Sequence, residues 1–206
     1  MAKKSSKPSS RPGSTKSPEA ERFYQGAADE RLRLFFALLP PPPLATALAG
    51  RSAELAGEYG GRALPAANLH LTLLFLGELD AARLPVLNLA ASSAAAAWRP
   101  FTLQLDRLGY WPRQQLLWAR LQQAAPELSD FSAYLRSTVE KAGFSIGDAG
   151  RAFFPHLTLL RKPGRTPPDG LSLTLPAWPV SGFALLASTR TAAGASYRPL
   201  AVWPVP

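Results

Sequence analysis

The amino-acid sequence predicts an α+β fold with mostly antiparallel sheets. Three observations lead there. Segments of strand character outnumber helical ones, the helices fall between pairs of strands, and the pentapeptide His-Leu-Thr-Leu-Leu occurs twice, at residues 70–74 and 156–160. Helices that punctuate strand pairs pack on one side of a sheet. The repeat is spaced 86 residues apart in a chain of 206, which points to one domain built from two similar halves.

Order is expected from Arg31. Residues 1–30 are rich in Ser, Pro, Lys and Arg with little to bury, the composition of a disordered basic tail. The run RLRLFFALL (31–39) is apolar and rich in β-formers, and the prolines at 40–43 stop it. Those prolines suit a helix start, where a missing amide proton costs little. Leu44, Leu48 and Leu55 then share one helical face, and Gly60 and Gly61 end the run. A strand, NLHLTLLFLG (68–77), follows and is ended by Gly77, and a helix within 84–98 carries Pro85 in its first turn.

Phe101, Leu103 and Leu105 alternate with Thr102, Gln104 and Asp106, the pattern of one half-buried strand. Its expected partner is QLLWARL (115–121), beyond a turn at Trp111, Pro112 and Arg113. The clearest helix is PELSDFSAYLRSTVEKAGF (126–144), where Leu128, Phe131, Leu135, Val139 and Ala142 share a face and Gly143 supplies the stop. PHLTLLRK (155–162), LSLTL (171–175), SGFALLAS (181–188) and YRPLAVW (197–203) are the remaining expected strands.

Composition narrows the class. An apolar fraction of 47% suits a globular core, and no apolar run approaches the length that crosses a bilayer. The first apolar run begins beyond residue 30 behind a polar segment, so no secretory leader is expected and a cytoplasmic location is. The absence of cysteine excludes disulfides and thiolate chemistry. Of the net charge of +9, the tail holds six Lys/Arg against four Asp/Glu, leaving +7 on a body with fifteen Arg and two Lys. A basic body attracts polyanions, and the arginine fork matches phosphate oxygens, although base composition of the genome accounts for an arginine excess equally well.

The chemistry lies in the repeat. His70 and His156 are the only histidines. In a strand His70 and Thr72 point to one face and Leu71 and Leu73 to the other, and the second copy does the same with His156 and Thr158. Each copy thus offers an imidazole and a hydroxyl side by side, anchored by buried leucines. If the halves are related by an approximate twofold, the two pairs face each other across one cleft. Opening a cyclic phosphate needs a base for water and an acid for the departing oxygen, and imidazole titrates near neutrality. The threonine hydroxyls can donate to non-bridging phosphate oxygens. A lone histidine in an apolar strand is ordinarily a packed core residue; the matched pair argues otherwise. A zinc site would need a further ligand, and neither segment has Asp, Glu or Cys beside its histidine.

Paired H-x-T-x motifs on a duplicated α+β chain resemble the 2H phosphoesterase superfamily, and within it the RNA 2′,3′-cyclic phosphodiesterases, also termed 2′-5′ RNA ligase or LigT-like proteins. The likeness runs from Arg31 to Val205 and takes in the opening strand at 34–39, NLHLTLLFLG, LLWARL, FFPHLTLLRK, and Ser188, Tyr197, Trp203 and Pro204 near the end. It implies a bilobal fold, two pseudo-symmetric sheets with helices outside and a basic central cleft. It also implies hydrolysis of an RNA 2′,3′-cyclic phosphate end to a 2′-phosphomonoester, with neither metal nor other cofactor.

The resemblance makes His70 the proton donor to the leaving 3′ oxygen and His156 the proton acceptor from water, with exchanged roles as the alternative because the copies look alike. Thr72 and Thr158 bind the phosphate. Arg161 matches a position usually arginine in the family and contacts phosphate or nucleotide, or else is a solvated strand-end charge. Phe36 offers a stacking face for a base, a core aromatic being its more ordinary reading. The departures are the long basic tail and Leu160, where small residues are frequent; neither touches the His/Thr pairs. Two other functions share these features: 2′-5′ ligation of tRNA halves, and non-catalytic RNA binding. A monomer without membrane attachment is expected.

Overall fold

A computed structural model of the chain describes residues 30–121, 123, 125–147, 152–191 and 194–204. Except for Glu30, the expected basic tail lies outside them. The first half of the described chain runs β1 (Arg31–Leu38), α1 (Pro42–Tyr59), β2 (Arg62–Ala63), β3 (Leu71–Asp80), α2 (Leu84–Ala95) and β4 (Phe101–Leu103). The second runs β5 (Leu105–Trp111), β6 (Leu116–Leu121), α3 (Pro126–Lys141), β7 (Leu157–Arg161), β8 (Trp178–Val180), β9 (Gly182–Thr191) and β10 (Gly194–Pro204).

The main sheet has the order β10-β9-β1-β3-β7-β6-β5, with β2 also paired to β7, while β4 and β8 form a two-stranded sheet apart. Every strand pairing is antiparallel. Strands β3 and β7 meet through one register pair, Leu71 opposite Leu157. Each of these leucines follows its histidine directly, so the repeated motifs run antiparallel past one another. The duplicated unit is strand–helix–strand: β1-α1-β3 and β6-α3-β7.

The helices form where the sequence places apolar faces. All three have Pro in their first turn, and α1 stops at Gly60, whose positive φ of 72° continues no helix. Leu44, Leu48 and Leu55 of α1, and Leu128, Phe131, Leu135 and Val139 of α3, are buried. The helices cross over: α1 packs on β7 of the other half, and α3 packs on β3. Leu71, Leu73, Leu157 and Leu159 lie in the core between helices and sheet. Each such burial is worth about 1.5–3 kcal/mol, which fixes the strand register by holding the opposite face outward.

Three expectations need correction. The single strand expected over 101–106 breaks at Gln104, β4 pairing with β8 and β5 with β6. Leu103 and Leu105 are both buried, so the alternation passes through the change of sheet unaltered. The segment 171–175 makes an isolated bridge, Ser172 to Arg107, rather than a strand. Strand β3 does not end at Gly77: Gly77 has a φ of 76° and sits where the β1–β3 register shifts, so it marks a bulge and pairing resumes to Asp80. The short strands β2 and β8 carry too few residues for a periodic signal.

Candidate active site

The repeat places both histidines at the residue just before a strand, His70 ahead of β3 and His156 ahead of β7. Their rings are held alike. His70 Nδ1 is 2.8 Å from the carbonyl of Asn68, and His156 Nδ1 is 2.9 Å from that of Phe154. A carbonyl only accepts, so Nδ1 carries the proton in both neutral rings and Nε2 is the nitrogen left for chemistry.

A second duplicated device lies beneath. Opposite β1, Phe36 pairs with Leu74 and Ala37 with Thr72, leaving Leu73 as the extra residue of a bulge. Opposite β6, Leu117 pairs with Leu160 and Trp118 with Thr158, leaving Leu159 extra in the same way. A bulged residue's backbone polar groups fall outside the ladder and need another partner. The two buried polar side chains among the described residues, Ser52 and Ser132, supply it. Ser132 of α3 donates to the Leu73 carbonyl at 2.9 Å, and Ser52 of α1 donates to the Leu159 carbonyl while accepting from the Leu64 amide. Each serine comes from the opposite half and ties its helix to the other half's histidine strand.

The bulges also reverse the side-chain alternation. Leu74 and Leu160, which would follow Thr72 and Thr158 onto the site face, turn into the core; Phe75 and Arg161 turn out in their place. Leu160, the departure noted in the sequence, is thereby a core residue. Phe75 and Arg161 occupy equivalent places in the two copies and line different cavities. Phe75 borders a cavity of about 600 Å³ with Thr72, Trp111, Gln114, Phe154 and His156. Arg161 borders one of about 360 Å³ with Arg62, Asn68, Ser196 and Tyr197.

The two imidazoles have unlike neighbours. His70 packs against Phe35 and Tyr197, ring centroids 4.9 and 4.7 Å away. His156 packs against Trp111 at 4.6 Å and Trp118 at 6.0 Å. Trp118 lies over Gly109, where any Cβ would collide with the indole, so Gly109 is the residue that admits the ring. Burial lowers the pKa of both histidines because it disfavours the charged form. His70 falls to about 4: burial is the main cause, the Asn68 carbonyl opposes it, and the charges of His156 and Arg161 lower it further. His156 is lowered by burial against the opposing Phe154 carbonyl. A charge on His156 is felt at His70 and disfavours a second charge there.

Thr72 and Thr158 are half-buried, and Arg161 lies close enough to His70 for its charge to act there. Phe36 is a correction. It is 0% exposed and packs on Phe183 and Trp203 in the core, so it offers no face to a base. Its neighbour Phe35 points to the site side but is 2% exposed and only backs His70. The exposed aromatics near the site are Phe75 and Phe154, at 51% and 48%. Sequence reasoning missed these, along with Ser52, Ser132, Arg62 and Tyr197. Among the described residues no group of three His, Cys, Asp or Glu side chains is placed to hold a metal, and no helix is long and apolar enough to cross a membrane.

Comparison with known proteins identifies the family. The sequence pattern of the family described as LigT like Phosphoesterase matches residues 38–118. The chain is 34% identical over 177 residues to the RNA 2′,3′-cyclic phosphodiesterase of Escherichia coli, covering 84% of this chain and 97% of that protein. The chain belongs to the LigT-like phosphoesterase family. Similarity extends to the RNA 2′,3′-cyclic phosphodiesterase of Thermus thermophilus, 32% identical over 81% of this chain and 86% of that one. The crystal structure of E. coli LigT complexed with 3′-AMP superposes on this LigT-like chain with a TM-score of 0.70 at 32% identity, covering 85% of this chain and 99% of that one.

Proposed function

We propose that the chain is an RNA 2′,3′-cyclic phosphodiesterase that opens cyclic phosphate ends to 2′-phosphomonoesters by two-histidine acid–base catalysis, without metal or cofactor. The observation that carries this reading is the antiparallel meeting of the two H-x-T motifs at Leu71 and Leu157, which gathers both imidazoles and both hydroxyls at one place. Two relatives bearing that name match over 97% and 86% of their length.

In this reaction water gives its proton to Nε2 of His156 as its oxygen bonds to phosphorus. The bond from phosphorus to the 3′ oxygen breaks, and that oxygen takes the proton from Nε2 of His70. Thr72 and Thr158 donate hydroxyl hydrogen bonds to the non-bridging oxygens, and Arg161 contacts phosphate or nucleotide on the His70 side. The anionic substrate supplies what the free protein lacks: it offsets the burial that holds His70 neutral. Both motifs belong to one chain, so a monomer completes the site, and a cytoplasmic location fits a substrate made where RNA is cut.

A second reading has its own support. The cavity beside His156, at about 600 Å³, far exceeds the roughly 30 Å³ that a water occupies. A 5′-hydroxyl carried by an incoming RNA end could take the water's place there, giving a 2′-5′ linkage between tRNA halves.

The test is turnover of a 2′,3′-cyclic mononucleotide in EDTA, with the product's phosphate position assigned by phosphorus NMR. A 2′-phosphate is expected. A 3′-phosphate would reverse the leaving oxygen, and no turnover in EDTA with recovery on adding a divalent cation would overturn the metal-free scheme.

A further inference from the structure

The two cavities that flank the histidines differ in chemistry, and the ribose itself says what each should receive. In a 2′,3′-cyclic phosphate the 3′ oxygen is borne by C3′, whose other ring neighbour, C4′, carries C5′ and the phosphodiester leading to the rest of the chain. The 2′ oxygen is borne by C2′, beside C1′ and the base. A protein that protonates the 3′ oxygen from His70 therefore has the upstream phosphodiester on the His70 side. This step rests on the function proposed above.

On that side lies the cavity of about 360 Å³ bounded by Arg62, Arg161, Asn68, Ser196 and Tyr197. Tyr197 joins it to the reaction centre, its ring 4.7 Å from that of His70. Arg62 of β2 stands directly opposite Arg161 of β7 in the antiparallel register, so both side chains project to one face. Among the described residues, the lining of the cavity they wall holds no Asp or Glu. The Arg62 guanidinium passes over Gly194 at the start of β10, where a Cβ would collide with it. Gly194 thus leaves the space in which that guanidinium lies.

We propose that the cavity walled by Arg62 and Arg161 binds the phosphodiester on the 5′ side of the terminal nucleoside, so that the site takes an RNA chain end in preference to a single nucleotide. One phosphate then lies between the histidines and the next between the arginines. Two guanidinium forks supply the charge-assisted, bidentate geometry that a phosphate accepts.

The experiment compares two ligands that differ only in the 5′-phosphate, adenosine 2′-phosphate and adenosine 2′,5′-bisphosphate, by calorimetry. The wild-type protein is expected to bind the bisphosphate at least about tenfold more tightly, the scale of a charged hydrogen bond, and with a steeper loss on raising salt from about 50 to about 200 mM. Arg62→Gln should remove that preference while its affinity for the 2′-phosphate stays within about threefold of wild type, and Arg62→Lys should keep part of it. Equal wild-type affinities for the two ligands, or an equal loss on both in Arg62→Gln, would overturn the proposal. Turnover of the cyclic mononucleotide is scored separately. Turnover without a bisphosphate preference sinks the chain-phosphate site alone; a preference without turnover leaves the site and sinks the catalytic reading.

Discussion

The surroundings of His70 and those of His156 are built from one backbone plan and furnished differently. In both, the ring stands just before its strand, donates Nδ1–H to the carbonyl two residues earlier, and precedes a threonine and then a bulge held by a serine from the opposite helix. What differs comes from the strands alongside. His70 lies against Phe35 and Tyr197 within reach of the Arg161 charge, beside a basic cavity; His156 lies against Trp111 and Trp118, beside a larger aromatic one. Duplicating the backbone aims two identical side chains. The residues on neighbouring strands then give each its own pKa and its own cavity. Phe75 and Arg161, at equivalent positions after the bulges, carry much of that divergence.

The largest way to break the comparison is to remove each ring in turn. His70→Ala and His156→Ala should each lower turnover of a cyclic nucleotide by about 10²–10⁴, the usual worth of an acid or base, with the fold retained by circular dichroism. Their roles separate on a phosphodiester whose leaving group is p-nitrophenolate, which departs without a proton. There the deficit of His70→Ala should shrink by at least about tenfold while that of His156→Ala persists. The opposite pattern would exchange acid and base, and undiminished activity in either variant on the cyclic substrate would end the two-histidine mechanism.

A smaller effect separates the serines. Ser132→Ala strips the Leu73 carbonyl of its donor in a buried place, at a cost of about 1–3 kcal/mol. Ser52→Ala should cost less, because the Leu159 carbonyl keeps the Leu64 amide at 2.9 Å. At about 2–4 °C per kcal/mol for a chain of this size, thermal unfolding resolves the two. Equal melting temperatures would show that the bulge carbonyls are not what these hydroxyls stabilise.

The parts legible in the sequence were those with a period or a repeat. The alternation of His70, Leu71, Thr72 and Leu73 set the site face, and Leu44, Leu48 and Leu55 set the buried stripe of α1. Where a bulge shifts the phase, the same reasoning fails. Phe36, a stacking face in one reading and a core aromatic in the more ordinary one, lies in the core, while Phe75, one place past the bulge, is exposed. Ser52 and Ser132 look in sequence like polar residues on helix surfaces. Their burial is understood only once the bulged carbonyls they serve are placed. Gln104 was hidden for a similar reason, since a strand that changes sheets keeps its alternation.

The finest distinction between the histidines is read from stability against pH. His70 has a pKa of about 4 in the folded chain and about 6.5 when unfolded. Between those values the unfolded chain binds more protons, so stability falls as pH drops from about 6.5 towards 4 and is recovered on returning above 6.5. Glutamine cannot take up that proton. His70→Gln should therefore lose less melting temperature than wild type between pH 7 and pH 4, by about 3 °C or more. His156→Gln should show a smaller relief of the same sign, because burial lowers its ring without the added charge of Arg161. Parallel pH curves for wild type and His70→Gln would mean that the ring is not held neutral by its surroundings, and the electrical difference between the two halves would then have to arise only when phosphate binds.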